Sequence, residues 1–343
     1  MTADDEYGRD LDLLVGRISA LDPPDLASRF ASCFNLGAAS YMQVEPAKTG
    51  TIAAVDGSNA MLLDAGYIAV ALLRAAACGF SDGGGRKFRS VTPLRLATLG
   101  REARDGSFAA LYRECFGTDP EAPVRDDEPA RTAGILRDTL EYWAALRAAD
   151  RLGRGDLLVL DGALRVTHAS HDPVMLDLIR TCAKKDIHLC AVTKRTAVTW
   201  GGGLPLVPAA LAFARSQGIA PPWALRIGKE GLDVDPYPQW RHGVPCVVAL
   251  HPRSSLAFKI EVPAPTGEKD LREIVSRLAG WADDGRVTGY PYPLLDAHRT
   301  ARIPADAVQR ARDDLLNGIG RSGSHPHRFH DLFGDIHDEF ARY

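Results

Sequence analysis

The chain has 343 residues, of which 45% are hydrophobic and 25% are charged, so it can bury a core in one large or two ordinary domains. Its formal net charge of -3 excludes a globally basic nucleic-acid-binding surface, and any such contact must therefore be local. Six scattered cysteines without a Cys-x-x-Cys pair argue against a zinc site or a disulfide framework. The acidic N-terminus and the lack of an apolar run of about 20 residues lead us to expect a cytoplasmic protein with no membrane segment.

The first part of the chain predicts one helix and three strands. Apolar residues at helical spacing over 11–21 predict an amphipathic helix, whose apolar stripe suits either the core or a partner surface. A strand over 51–56 follows, then a stretch over 66–77 that periodicity alone allows to be strand or helix, and then a strand over 88–99. The segment 100–128 contains glycines, prolines and an acidic cluster, which together predict a loop.

The middle of the chain alternates between helix and strand. A helix over 130–149 leads to a strand over 156–161, and a helix over 171–184 leads to a strand over 187–193. Three strands followed by helix, strand, helix and strand is the order of an RNase H-like mixed sheet flanked by helices, with the first strand central. We therefore predict an α/β fold. Beyond this core we expect strands at 223–227, 246–250 and 256–262, and helices near 268–281 and 304–317.

Two aspartates follow two apolar strands. Asp56 comes directly after the run 51–55, and Asp161 directly after the run 157–160. Unpaired carboxylates are costly to bury, and hard divalent cations favour carboxylate oxygens. Each Asp-Gly dipeptide alone is common in turns, but two of them at the ends of adjacent strands converge at one sheet edge. The pair therefore predicts metal-dependent chemistry.

The sequence leaves the third carboxylate open. Glu141 lies in the helix before the second aspartate strand, from which its side chain can reach the same sheet edge. Its spacing equally suits an ordinary ion pair with Arg137, four residues earlier. Asp138 and Asp64 are alternatives that the pattern does not exclude.

Basic residues follow the strand at 187–193. Lys194 and Arg195 come at the end of this strand, where a cation can hold a phosphate or position a water molecule. A solvated strand end explains the two residues equally well.

A dense group of aromatic, acidic and basic residues lies between Gly289 and Arg299. Tyr290 and Tyr292 can stack on a base, His298 can bind a metal ion or carry a proton, and Arg299 can hold a phosphate. The same segment also suits a proline-stiffened loop that leads into a helix, with the tyrosines in the core.

Histidines form two further groups, His168 with His171 and a set in the tail over 325–337. Neither group has the His-x-x-x-His spacing of a metalloprotease helix, and we expect both to lie in solvated loops.

The blocks at 55–58, 159–164, 192–196 and 289–303, in this order, resemble the NurA nucleases, which act with the hexameric HerA ATPase in DNA end resection. The resemblance covers residues 50–305 and is carried most specifically by the last block. It implies an RNase H-like fold with N- and C-terminal helical and β additions. It also implies manganese-dependent cleavage of single-stranded DNA, 5′-to-3′ degradation of ends, and a homodimer that docks on the HerA ring.

The resemblance also assigns roles to individual positions. It implies two-metal hydrolysis with Mn²⁺, with Mg²⁺ as the alternative ion, and Lys194 would neutralise the charge on the phosphate. Ala163 stands where the family usually has a serine, which affects a supporting hydrogen bond more than a ligand. The implied metal ligands are Asp56, Glu141, Asp161 and His298, which with Lys194 form the catalytic set. The implied DNA contacts are Lys194, Arg195, Tyr290, Tyr292 and Arg299.

The implied organisation is a helical N-terminal segment (1–48), a nuclease domain (49–305) and a C-terminal helix and tail (306–343). Within the nuclease domain, an RNase H-like core (50–196) precedes a β and helical extension (197–305). The main alternative is a catalytically inactive DNA-binding accessory subunit of a ring ATPase. A third class, an actin-like kinase, would require a second copy of the three-strand unit, and the sequence contains none.

Overall fold

A computed structural model describes residues 3–19, 25–65, 68–100, 106–124, 128–194, 196–235 and 237–321. The expectations for Arg195 and for the histidines of the tail lie outside these residues. The helices are α1 (Ala3–Ser19), α2 (Leu26–Phe34), α3 (Ser107–Phe116), α4 (Pro129–Asp150), α5 (Asp172–Lys184), α6 (Leu206–Ser216), α7 (Glu268–Gly280), α8 (Tyr292–Ala301) and α9 (Ala305–Arg321). The strands are β1 (Tyr41–Gln43), β2 (Ile52–Asp64), β3 (Ala69–Phe80), β4 (Arg86–Val91), β5 (Arg95–Leu99), β6 (Leu157–Asp161), β7 (His188–Thr193), β8 (Thr199–Trp200), β9 (Leu204–Pro205), β10 (Trp223–Arg226), β11 (Gly243–Ala249) and β12 (Phe258–Pro263).

The chain divides into two compact units. Unit I comprises Met1–Thr49, Asp161–Leu164 and Cys190–Tyr292. Unit II comprises Gly50–Leu160, Arg165–Leu189 and Pro293–Tyr343.

A mixed sheet with β2 at its centre forms the core of unit II. β2 pairs in parallel with β6 on one side and antiparallel with β3 on the other. β4 and β5 both pair with β3. The residues of β2 before Asp56 are buried, as expected of a strand that is covered on both faces. The predicted α/β, RNase H-like order is therefore confirmed, with the first strand central.

Two predictions about the secondary structure of residues 88–128 need correction. The strand expected at 88–99 is two strands, because the segment around Pro93 separates β4 from β5 and proline cannot donate to a ladder. The loop expected at 100–128 contains the helix α3, whose residues Phe108, Leu111 and Tyr112 are buried. Their i, i+3, i+4 spacing was a helical signal that the surrounding glycines and prolines concealed.

The sheet of unit I is built from β1, β10, β11, β12 and β7. Adjacent strands in this order are antiparallel. Helices α2 and α6 were not predicted, and they pack with this sheet around the buried rings of Phe30, Tyr41, Trp200 and Trp223. The strands expected in the region from 223 to 262 are confirmed as β10, β11 and β12.

Helix α1 leaves its apolar stripe in solvent. Leu11, Leu14 and Ile18 are 46%, 53% and 65% exposed. Of the two interpretations of this stripe, core packing within the protomer is therefore wrong. No helix among the described residues is both long enough and apolar enough to cross a bilayer.

Candidate active site

Of the two aspartates predicted at strand ends, Asp161 does end its strand, whereas Asp56 lies inside β2, which continues to Asp64. Asp56 lies within β2, directly after buried residues, and is itself only 7% exposed. Val55 pairs with Leu160 of the parallel strand β6, and an aspartate follows each of these two residues. Asp161 is the last residue of β6. Asp56 and Asp161 therefore each come one residue after the paired residues Val55 and Leu160.

Asp56 is hydrogen-bonded to an imidazole. The distance between His298 Nδ1 and Asp56 Oδ2 is 2.7 Å. An ionised carboxylate can only accept, so the ring donates from Nδ1 and keeps a lone pair on Nε2. A histidine that binds a metal commonly gives its other N–H to a carboxylate in this way. The His298 side chain is 54% exposed, so this nitrogen is accessible to an ion or a proton.

Helix α8 holds His298 in place through its opposite face. Asp296 is buried, and both of its carboxylate oxygens accept from Arg86 Nη2 at 2.7 Å. The Cys78 thiol donates to Thr300 Oγ1, and burial raises the pKa of this thiol to about 11, so that it stays protonated. His298 is two residues from Asp296 and from Thr300, which is about 200° around a helix. It therefore projects away from the anchored face.

Helix α4 approaches β2 unusually closely at the glycine after Asp56. A Cβ atom placed on Gly57 would lie 2.8 Å from Arg137 Cγ and 3.0 Å from Glu141 Oε2. Both distances are too short for a side chain at this position, so glycine is required here for packing rather than for a turn. The Glu141 carboxylate consequently lies against β2, one residue along from Asp56.

Arg137 is surrounded by carboxylates. It donates through Nε and Nη2 to Asp138 Oδ1, at 3.1 and 2.5 Å. Burial alone would lower the pKa of Arg137, but the charges of Asp138, Glu141 and Asp56 outweigh it and raise the pKa. The guanidinium therefore stays charged and compensates the buried acids beside it. Sequence reasoning considered Arg137 only as a partner for Glu141, although three charges within five residues of a mostly apolar helix were a visible signal.

The three candidates for the third carboxylate differ in their surroundings. The Asp138 carboxylate accepts from Arg137 and also from Thr167 Oγ1, at 2.9 Å. Asp64 lies eight residues along β2 from Asp56, a separation of about 26 Å in an extended strand. Of the three, Glu141 is the one whose carboxylate lies against β2 at Gly57, the residue after Asp56.

In unit I, a lysine pairs with the second aspartate. Lys194 Nζ donates to Asp161 Oδ2 at 2.5 Å and lies 5.5 Å from the centroid of the Tyr290 ring. The Lys194 side chain is 40% exposed, so its ammonium group also contacts solvent. The pair places a permanent positive charge directly against the Asp161 carboxylate.

Buried charges hold the short segment that follows Asp161. Glu261 is fully buried, and its Oε2 accepts from the backbone N–H of Leu164 at 2.8 Å. Its Oε1 accepts from Lys259 at 2.5 Å and forms an ion pair with Arg241 at 3.7 Å. A Cβ atom on Gly243 would lie 2.7 Å from Glu261 Cβ, so this glycine makes room for the buried acid. Sequence reasoning missed Glu261 entirely, because a single glutamate in a β-strand carries no motif.

The residues expected to contact DNA have different environments. Tyr290 is buried and packs edge-on against Phe258, at 5.5 Å between ring centroids. The Tyr292 ring is half-buried, with the Arg286 guanidinium 5.1 Å from its centroid. Arg299 is exposed on α8 next to His298.

His171 is not in a solvated loop, contrary to the sequence expectation. It is fully buried, and its Nε2 lies 2.8 Å from Thr139 Oγ1 on α4. Burial, with a smaller contribution from His168, lowers the pKa of His171 to about 3. The imidazole is therefore a neutral part of the core of unit II.

Comparison with known proteins identifies the family. The fold and the strand-end aspartates define an α/β protein of the RNase H-like class. A model of the NurA domain matches residues 50–303, and the chain therefore belongs to the NurA family, as its sequence motifs predict.

Solved structures of NurA share the fold. The NurA nuclease from Sulfolobus solfataricus is 14% identical with a TM-score of 0.58, and the match covers 94% of this chain and 98% of that one. A NurA structure bound to dAMP and manganese is 11% identical with a TM-score of 0.53, and the match covers 92% and 98% of the two chains. At these identities, the likeness shows the fold alone. No curated protein matches the chain.

Proposed function

We propose that this chain is a metal-dependent DNA nuclease that cuts single-stranded DNA internally and degrades ends in the 5′-to-3′ direction. The observation that carries the proposal is the hydrogen bond of His298 to Asp56, in a NurA-family chain whose strands β2 and β6 each carry an aspartate directly after their paired residues Val55 and Leu160. One related protein has been solved with dAMP and manganese, which supports nucleotide chemistry at this fold.

Asp56, Glu141, Asp161 and His298 are the proposed metal ligands. Three carboxylates and an imidazole suit Mn²⁺, because Mn²⁺ accepts nitrogen ligands more readily than Mg²⁺ does. When bound, two such ions would supply an activated water molecule and stabilisation of the departing oxygen. Mg²⁺ remains an alternative ion.

The remaining charged residues act on the substrate and on the ligands. Lys194 neutralises the scissile phosphate with its solvent-facing ammonium group, and Arg195 and Arg299 are proposed to hold flanking phosphates. Arg137, whose pKa the neighbouring carboxylates raise, stays charged and offsets the negative charge of these acids. Tyr290 and Tyr292 are proposed to line the DNA path. Because the Tyr290 ring is buried, its contribution is to support Lys194.

The proposed setting is DNA end resection in double-strand break repair, as a homodimer in the cytoplasm with a HerA-type hexameric ATPase. The exposed stripe of α1, formed by Leu11, Leu14 and Ile18, supports a protein partner, because an apolar stripe left in solvent marks an interaction surface.

Cleavage of end-labelled single-stranded DNA tests this proposal. We expect cleavage with Mn²⁺, none with EDTA, and a loss of about 100-fold or more in Asp56→Asn, which keeps the side-chain shape but removes the charge. The matched control is Asp64→Asn, eight residues further along the same strand, which should cut like the wild type. Equal activity in Asp56→Asn would overturn the proposal. If the protein binds DNA but shows no cleavage with or without the ATPase, the inactive accessory subunit is the correct function.

A further inference from the structure

A cavity in unit II lies on the α4 face of the sheet, between α4 and strands β3 and β4. Its volume is about 110 Å³, which is several times the space of one water molecule. Small side chains line the bottom of this cavity, namely those of Ala75 and Ala77 on β3 and of Ala144 and Ala148 on α4. The four alanines leave a slot between helix and sheet that larger residues would fill.

Two aromatic rings form the walls of this slot. Phe88 pairs with Gly79 across the strands, and a Cβ atom on Gly79 would lie only 2.3 Å from its ring. The ring therefore lies flat on the backbone of β3, which only a glycine permits. Trp143 of α4 is half-buried and also lines the slot. A planar ligand can use the face of each ring over which an arginine lies, once that arginine moves onto the phosphate of the ligand.

Two arginines lie over these rings. The Arg147 guanidinium carbon is 5.5 Å from the centroid of Trp143, and that of Arg151 is 5.2 Å from the centroid of Phe88. The two arginines are four residues apart and therefore share one face of the helix. Neither has an acidic partner within 4.0 Å among the described residues, whereas Arg137 on the same helix pairs with Asp138. Their charge is thus available to an anion.

This combination fits a nucleotide of a single DNA strand. Aromatic faces stack with any base, and arginine side chains both stack and hold phosphate oxygens. The exposed hydroxyl of Ser90 at the rim adds a hydrogen-bonding group. An uncharged apolar ligand would fill the slot but leave two guanidinium groups without an anion.

The slot is separate from the candidate active site, although the two are close along the sheet. In the register of β2 with β3, Asp56 pairs with Ala76, and Ala75 and Ala77 flank that residue. Successive side chains of a strand point to opposite faces, so the alanines of the slot and the Asp56 carboxylate lie on different faces. Glu141 approaches β2 from the same face as the slot, but Arg151 lies ten residues further along the chain, about 15 Å away along the helix axis. A nucleotide whose phosphate is held by Arg147 and Arg151 is therefore not the nucleotide that is cleaved.

We propose that this slot is a second nucleotide-binding site, in which a base stacks against Phe88 and Trp143 while Arg147 and Arg151 hold the adjoining phosphate. The site anchors single-stranded DNA during cleavage, so the inference rests on the proposed function and extends it. Because the site lies away from the reacting phosphate, it contributes to DNA affinity and not to the chemical step.

The test is to measure the dissociation constant of a fluorescent single-stranded oligonucleotide in EDTA, together with cleavage kinetics in Mn²⁺. The Arg147→Gln/Arg151→Gln variant, which changes only exposed side chains, should bind about 10-fold or more weaker while its kcat at saturating DNA stays unchanged. Phe88→Leu should lose most of the preference of the wild type for ordinary over abasic DNA. The matched control is Arg180→Gln, which removes an exposed arginine of α5 and should leave both constants unchanged.

The outcomes separate this inference from the proposed function. If the wild type cleaves DNA and the double variant binds it with unchanged affinity, the slot is not a DNA site, and the nuclease proposal stands. A fall in kcat without a change in affinity would also overturn the inference. If Asp56→Asn cleaves like the wild type while the double variant binds weakly, the nuclease proposal fails and the second site stands.

Discussion

Asp56 and Asp161 have the same local sequence but very different partners. Each follows an apolar strand and precedes a glycine. Asp56 bonds to the imidazole of His298 and lies near the half-buried guanidinium of Arg137. Asp161 contacts the ammonium group of Lys194 directly. Two copies of one motif therefore receive different electrostatic surroundings, which only the packing of distant segments provides.

The largest expected effect comes from removing the charge at the second aspartate. Asp161→Asn should reduce cleavage about 100-fold or more. The double variant Asp56→Asn/Asp161→Asn should be no more active than Asp56→Asn alone, because in the proposed mechanism the two carboxylates serve one reaction. Single-turnover cleavage in Mn²⁺ measures this loss, and circular dichroism checks that the variant is folded. If Asp161→Asn keeps full activity, the two motifs are not equivalent in function either.

A second, smaller effect is expected where α4 meets β2 beside Asp56. Gly57→Ala should lower the free energy of unfolding by about 1–3 kcal/mol, because the new methyl group collides with Arg137 and Glu141. It should also weaken cleavage by displacing Glu141. Urea unfolding and the cleavage assay together measure both changes.

Gly134→Ala is the matched control for this substitution. A Cβ atom at Gly134 of α4 meets no atom within 4 Å, so alanine should stabilise the helix by about 0.5–1 kcal/mol. Equal stability of the wild type and Gly57→Ala would show that the close approach of α4 is not required.

The effect that is smallest at neutral pH concerns the pH dependence of the stability of unit II, which contains a buried histidine in place of the partly exposed charged groups around the two aspartates. The pKa of His171 is lowered to about 3 in the folded protein, against about 6.5 when unfolded. Between these values the unfolded chain binds a proton that the folded chain does not. The contribution of the neutral His171 to the free energy of unfolding is therefore fully present above pH 6.5. Below that pH, the free energy of unfolding falls by up to about 1.4 kcal/mol per pH unit.

His171→Gln should reduce this slope by close to one proton, while Lys185→Gln, at the opposite end of α5, should leave it unchanged. Urea midpoints measured between pH 7 and pH 4 give the slopes of both variants. A slope in His171→Gln that equals the wild-type slope would mean that another group causes the acid sensitivity.

Long periodic segments were the most predictable part of the fold. The helix α4 and the strands β6 and β7 were predicted within two residues of their observed ends, because each has a clear apolar period bounded by polar or glycine residues. The start of β2 was predicted equally well, but the strand continues eight residues beyond its predicted end at Asp56. The helices α3, α6 and α2 were missed. Each is short, and propensity or turn residues outweighed a weak period in the sequence.

The candidate site was predictable in part. The positions of Asp56, Asp161 and His298 followed from strand ends and from one dense motif. The roles of Arg137 and Glu261 did not, because a buried charge is recognised only through the groups that surround it. The exposed stripe of α1 was ambiguous for a related reason, since the same helical period serves a core or an interface.

The sequence by itself determined the family, the order of the core strands and helices, and the two aspartates that follow apolar runs, because these depend on local periodicity and on short motifs. The tertiary structure alone decided which side chain faces each carboxylate, that Gly57 serves helix packing, and that two arginines and two rings enclose a slot. These features join residues that are far apart in the chain. Their energies depend on distance and burial, which no local pattern of residues encodes.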